Sequence, residues 1–135
     1  MMISVQTIIN ASIDKVWELW TSPEHIVKWN APDENWHTSH AENDLKVEGK
    51  FKFVMISKEQ NSGFDFEGIY TKIQKNKVIE YKLEDKRTAS VHFEAYGNTV
   101  EITETFEPQK EDSESMQKAW CQAVIDNFKQ YAEHF

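Results

Sequence analysis

Cysteine is all but missing from this chain. Cys121 stands alone among 135 residues, so no disulfide can form within the chain, and such usage suits a reducing compartment. No apolar run approaches the roughly 20 residues that cross a bilayer. The opening residues, MMISVQTIIN, have no basic start, no long apolar stretch and no cleavage pattern, so no secretory leader is expected. These absences point to the cytoplasm and away from membrane insertion. Positive charge is short as well: 15 Lys and Arg face 23 Asp and Glu, for a net charge of −8. Phosphate backbones call for clustered cations, so nucleic acid is not an expected partner. Residues 101–135 hold eight of the acidic residues against three lysines, which reads as a solvated acidic face on the last element. There is no internal repeat, linker or low-complexity segment. The expectation is one domain over 1–135, large enough to bury about two thirds of its unfolded surface without a staple.

Aromatic residues are plentiful by contrast. Four of the five tryptophans, Trp17, Trp20, Trp29 and Trp36, fall in one short segment. An indole is hard to bury cleanly because its N–H needs a partner. Ile3 to Ile9 is β-branched and reads as a strand. Ser12 caps a helix in which Ile13, Val16, Trp17 and Trp20 recur at helical spacing. Ser22 and Pro23 start a second, short helix, and Asn30 to Asp33, with Pro32, breaks it. From Trp36 to Pro108 the period becomes two. Lys50–Ser57 and Gly63–Tyr70 form a long hairpin around a polar loop, followed by Lys77–Leu83, Thr88–Ala95 and, after the Gly97-Asn98 turn, Thr99–Phe106. This predicts a meander of five or six antiparallel strands. A long helix over Ser113–His134 closes the chain. Its apolar stripe is Met116, Trp120, Ala123, Val124, Phe128 and Tyr131, with Lys118, Gln122, Asp126 and Lys129 opposite. A helix with so bulky a stripe needs a concave partner, so the class is α+β, with an antiparallel sheet curved around the last helix.

This layout, with two short helices after the first strand, resembles the helix-grip fold of START-like and Bet v-like (SRPBCC) proteins. The sequence is similar to the AHSA-like branch, related to activators of the heat-shock-protein ATPase. The resemblance rests on NASIDKVWELWT (10–21), PEHIVKW (23–29), EGKFKF (48–53), FEGIY (66–70) and VEITETFEP (100–108). One departure is Ser12, where the family often has Pro, which bears on capping alone. The resemblance implies an apolar cavity between sheet and last helix, used in the superfamily for lipids, sterols and polyketides. Some relatives catalyse cyclisation or hydration there, and many only bind. The activator role belongs to relatives with an additional domain.

Several residues carry possible chemistry. Cys121 has no neighbouring His in sequence to lower its pKa and reads as a small core or boundary residue. His37 and His40, with His25 and Asp44 nearby, raise the question of a metal, but residues three apart on a strand point to opposite faces. Neither a metal nor a cofactor is expected. Asp65 and Glu67 alternate with Phe64 and Phe66 and should face solvent. Glu104 is different, because Val100, Ile102, Glu104 and Phe106 share a face. It lies either at the cavity rim or in a salt bridge, or it is an inward polar group that orients a ligand or moves a proton.

An apolar void of about 300 Å³, the small end of ligand pockets, would cost about 7 kcal/mol. That rivals the whole stability of a domain, roughly 5–15 kcal/mol. A cavity here is therefore either occupied or partly closed by side chains. The ligand-binding candidates are Trp29, Trp36, Phe51, Phe53, Met55, Phe66, Tyr81, Phe93, Glu104, Trp120, Val124 and Phe128. Trp29 and the Pro32–Trp36 loop are expected to gate the cavity, and Trp17 and Trp20 to pack. Three functions follow: a monomeric binder of a small hydrophobic molecule, a chaperone-associated module that binds a protein partner, or an enzyme with Glu104 as acid/base.

Overall fold

The computed structural model describes residues 2–135. The chain runs β1 (Ile3–Ile9), α1 (Ile13–Thr21), α2 (Pro23–Trp29), β2 (Trp36–Asn43), β3 (Lys50–Ser57), β4 (Ser62–Gln74), β5 (Val78–Leu83), β6 (Thr88–Tyr96), β7 (Thr99–Phe106) and α3 (Glu114–His134). All seven strands form one antiparallel sheet in the order β1-β7-β6-β5-β4-β3-β2. Six of them make the expected meander between Trp36 and Pro108. β1 returns to pair with β7, which places the N-terminal strand at one edge and β2 at the other. Bulges between Thr38 and His40 and between Tyr70 and Lys72 interrupt the ladders. Extra residues of this kind bend a strand, so the sheet curls into a half-barrel.

The concave face collects one side of the alternation: Ile3, Val5 and Ile9 of β1, Phe51 and Met55 of β3, Tyr70 of β4, Ile79 of β5, Ala89, Val91 and Phe93 of β6, Val100 and Ile102 of β7. α3 lies over β1 and fills the concavity with Ile125, Phe128 and Ala132, all fully buried. Met116 does not belong to this stripe, contrary to expectation. It is 71% exposed, because residues 113–119 overhang the sheet and the helix enters the fold only from Trp120 onward. Ile125 and Ala132 complete the stripe in its place.

The polar side of α3 is also not simply solvated. β1 is an edge strand, and its outward carbonyls need donors. Gln122 Nε2 donates to the Gln6 carbonyl at 3.1 Å, and Lys129 Nζ to that of Ile8 at 2.5 Å. Glu133 accepts from the Asn10 backbone N–H at 2.8 Å. These bonds cover the edge and fix the helix along it.

Local capping follows the sequence with one exception. Ser12 and Ser113 accept from the backbone N–H groups of Lys15 and Met116. Ser22 occupies the cap position of α2, yet its side chain makes no capping bond. Pro23 at the first helical position has its φ already set for a helix, which helps α2 start without that bond.

Candidate ligand cavity

The inner face of the half-barrel is built of rings. Phe51 sits at the centre, with Phe53, Phe66, Tyr70 and Tyr81 at centroid distances of 5.3, 5.7, 5.1 and 5.1 Å. Gly68 makes this possible. It stands opposite Phe51 in the ladder, and a Cβ there would lie 2.5 Å from the Lys82 carbonyl oxygen and 3.0 Å from the Phe51 ring. On the helical side Trp20, Trp29 and Phe128 pack with centroids 4.8–4.9 Å apart.

Between the two ring layers lies a cavity of about 80 Å³. Of the candidates named from sequence, Trp29, Phe51, Phe53, Phe66, Tyr81, Glu104 and Val124 line it. Trp36, Met55, Phe93, Trp120 and Phe128 do not. Met55 is buried beside Thr38 in the β2–β3 ladder. Phe93 packs edge-on against Trp17 at 5.3 Å, and Phe128 lies behind Trp20 and Trp29. Trp36 and Trp120 meet at 5.1 Å, with Phe64 at 5.8 and 6.2 Å, in an aromatic cluster at one end of the half-barrel.

Trp29 is a wall, not a gate. It is only 4% exposed, and its Nε1 donates to the Leu19 carbonyl at 2.9 Å. Trp17 is core, whereas Trp20 is half-buried and lines the cavity. Sequence reasoning also missed Thr21, Asn30, Asn43, Tyr70, Ile79 and Val91 in the lining. Tyr70 could have been found, since it continues the Phe64, Phe66, Gly68 alternation. Asn43 carries no such signal. It accepts a hydrogen bond from the Tyr70 hydroxyl, and its Nδ2 donates to the Thr21 carbonyl at 2.6 Å.

Glu104 points inward, as its place in the alternation implies. Its neighbours across both ladders are apolar, Val5 on β1 and Val91 on β6. No described residue forms an ion pair or hydrogen bond with its carboxyl, so the salt-bridge alternative drops out. The residue surface is partly open because it borders the cavity, yet the surrounding protein desolvates the carboxyl and pushes its pKa up to about 7. Burial also raises the Tyr81 hydroxyl and the Cys121 thiol, and the nearby Glu104 carboxyl adds to both. Cys121 is half-buried and lies outside the lining.

The histidines show a different departure. The bulge in β2 sets His37 opposite Ile56 and His40 opposite Val54. Both therefore share the outer face, where opposite faces were expected. They are exposed, and His40 contacts Glu42 at 2.9 Å. Among the described residues no group of three potential metal ligands assembles. Asp65 and Glu67 lie on the same outer face, Asp65 within 3.6 Å of Lys52. A larger depression, about 930 Å³, borders the β2–β3 loop from Glu42 to Lys50, but it is shallow and polar.

A curled antiparallel sheet that grips a long C-terminal helix over a ring-lined cavity defines a helix-grip protein of the SRPBCC, Bet v-like kind. More narrowly, the chain belongs to the family described as Activator of Hsp90 ATPase homolog 1-like protein, whose family model matches residues 10–133. It is similar to the solution structure of an AHSA1-like protein from Aeromonas hydrophila, with 34% identity and a TM-score of 0.92 over 99% of this chain and 93% of that one. A protein from Cytophaga hutchinsonii shares 37% identity and a TM-score of 0.84 over 98% of this chain and 92% of that one. A protein from Nitrosomonas europaea, 16% identical with a TM-score of 0.84 over 99% and 95% of the two chains, shares the fold. A search among curated proteins gave no match. No helix among the described residues is long and apolar enough to cross a membrane.

Proposed function

We propose that the protein binds a small molecule with an apolar body in the cavity between the sheet and α3. The observation that carries this reading is a ring-lined cavity bordered by one unpartnered carboxyl. Apolar walls with a few convergent polar groups are the usual makeup of a ligand site. At about 80 Å³ the space is well short of the 300 Å³ or so at the small end of such sites. Entry of a larger ligand therefore requires side chains to swing aside. Phe53 and Phe66, both half-buried, and the Trp36–Phe64–Trp120 cluster are the groups free to do so. The lone, half-buried Cys121 fits a reducing cytoplasm.

An NMR titration of the chain with a panel of small aromatic and aliphatic compounds tests this. Binding should shift the signals of Ile79, Val91 and Val124, and Val124→Phe, which fills the space, should abolish the shifts. A panel that leaves these methyl signals unmoved would sink the reading. A second reading, a protein-docking module, is favoured by one end of the half-barrel. There Phe64 and Met116 are 44% and 71% exposed, next to Trp36 and Trp120. In that case Phe64→Ser with Met116→Ser should abolish partner capture and leave the cavity titration unchanged.

A further inference from the structure

The charge pattern of the cavity says more about its occupant than its size does. We propose that the site takes a small organic cation, a protonated primary amine on an alkyl or arylalkyl body, with the Glu104 carboxylate as counter-ion and the surrounding rings as its cage. This rests on the ligand-binding reading above and names its ligand class.

Among the described residues, seven aromatic side chains line the cavity together with a single carboxyl and no Lys, Arg or His. Arg87, whose charge reaches Tyr81 and Cys121, is not among the lining residues and pairs with Asp85 at 2.7 Å. An anionic ligand such as a fatty acid would meet Glu104 with nothing to offset its charge. A neutral ligand gives the carboxyl no counter-charge, so above neutral pH it would stand as an unpaired, desolvated carboxylate, which is costly. An ammonium group solves both problems: it pairs with Glu104, and ring faces attract it more strongly once it is desolvated.

The groups around Glu104 agree. Val5 from β1 and Val91 from β6 flank it and carry no charge. Tyr81 from β5 and Cys121 from α3 are the titratable neighbours, and both are kept neutral by burial and by Glu104 itself. Tyr70 from β4 is likewise held protonated by burial. Among the described residues that line the cavity, Glu104 is thus the one group that carries charge near neutral pH. The volume of about 80 Å³ is roughly half that of an apolar cavity known to take benzene. It suits an ammonium head and its first carbons, with the rest of the body passing between the half-buried Phe53 and Phe66. Because the carboxyl is poised near pH 7 by desolvation, amine binding must release its proton, and affinity should rise with pH.

The test is an NMR titration with n-butylamine and benzylamine against n-butanol and benzyl alcohol, at pH 6 and pH 8. Each amine should bind at least about tenfold more tightly than its alcohol at pH 8. Wild-type affinity for the amines should fall roughly tenfold at pH 6, as the carboxyl takes up its proton. Glu104→Gln, close to isosteric, should erase the amine preference and the pH dependence while still admitting the alcohols. Alcohols that bind the wild type as tightly as the amines, or a Gln variant that keeps the preference, would overturn the amine assignment and leave the cavity reading standing. If neither class of probe moves the cavity signals, the cavity reading falls and this assignment falls with it.

Discussion

The indole Nε1 of Trp29 donates to the carbonyl oxygen of Leu19 at 2.9 Å, across ten residues of chain. The reason lies in Pro23. Pro23 disfavours helical backbone at Ser22, so α1 stops at Thr21 and the Leu19 carbonyl in its last turn has no helical partner. The same proline that starts α2 therefore leaves α1 an orphan acceptor, and the last residue of α2 satisfies it. Further side chains close this joint. Thr38 Oγ1 donates to the Asn30 carbonyl at 2.6 Å, and Asn127 Nδ2 to that of Trp29 at 2.8 Å.

Trp29→Phe tests the joint. Phenylalanine keeps most of the packing on Trp20 and Phe128 but leaves a buried carbonyl unpaired, so stability should fall by about 2 kcal/mol. Urea unfolding monitored by far-UV circular dichroism measures it. A loss indistinguishable from zero would mean that water or another donor replaces the indole.

Gly68→Ala should act through the ring layer. The added Cβ would sit 2.5 Å from the Lys82 carbonyl oxygen and 3.0 Å from the Phe51 ring. The first of these is backbone in the adjacent strand and cannot move away without opening the ladder. Overpacking of this kind costs typically 1–3 kcal/mol. Thermal melts of the variant should show that loss, and the Phe51 ring signals should shift. Alanine tolerated at wild-type stability would show that the strand can yield at this point.

Much of this arrangement was legible in the residues. Period-two alternation places Phe51, Phe53, Phe66 and Glu104 on the inner face with no further information, because a strand has only two faces. Helical spacing places Phe128 in the stripe of α3 but passes over Ile125 and Ala132, which are fully buried. Met116 continues the spacing but projects past the sheet, and spacing alone does not say where a partner ends. The β2 bulge reverses the expected faces of His37 and His40, and no residue there announces an inserted position. The state of the cavity was not legible either. Its volume depends on how far α3 stands from β3–β5 and on the rotamers of Phe53 and Phe66, which composition does not determine. Asn30 and Asn43 entered the lining unnoticed because a polar residue on an edge strand or at a helix end reads as surface.

Cys121 should be chemically quiet. Burial, then the Glu104 carboxyl, raises its thiol well above the ordinary range, and the thiolate is the reactive form. Alkylation by iodoacetamide at pH 8 should proceed at least about a hundredfold more slowly in the folded chain than in urea. A folded-state rate within a few fold of the unfolded one would reopen the case for a functional thiol.

Glu104 should leave a signature in the pH dependence of stability. Its pKa is about 7 in the folded protein against an ordinary value of 4.5, so the folded state binds the proton more tightly than the unfolded one. Below about pH 4.5 both states are protonated at this site and it costs nothing. As pH rises from there towards 7 the unfolded chain releases its proton first, and the folded state loses stability. Above pH 7 the loss levels off at up to about 3 kcal/mol, the cost of holding a desolvated carboxylate. Glu104→Gln carries no proton to release, so it should be more stable than the wild type by that amount at pH 8 and nearly equal to it at pH 4. The difference between the two urea midpoints should grow steadily across that interval. A constant difference would place Glu104 in contact with bulk water and remove the buried charge from which its role in the cavity is argued.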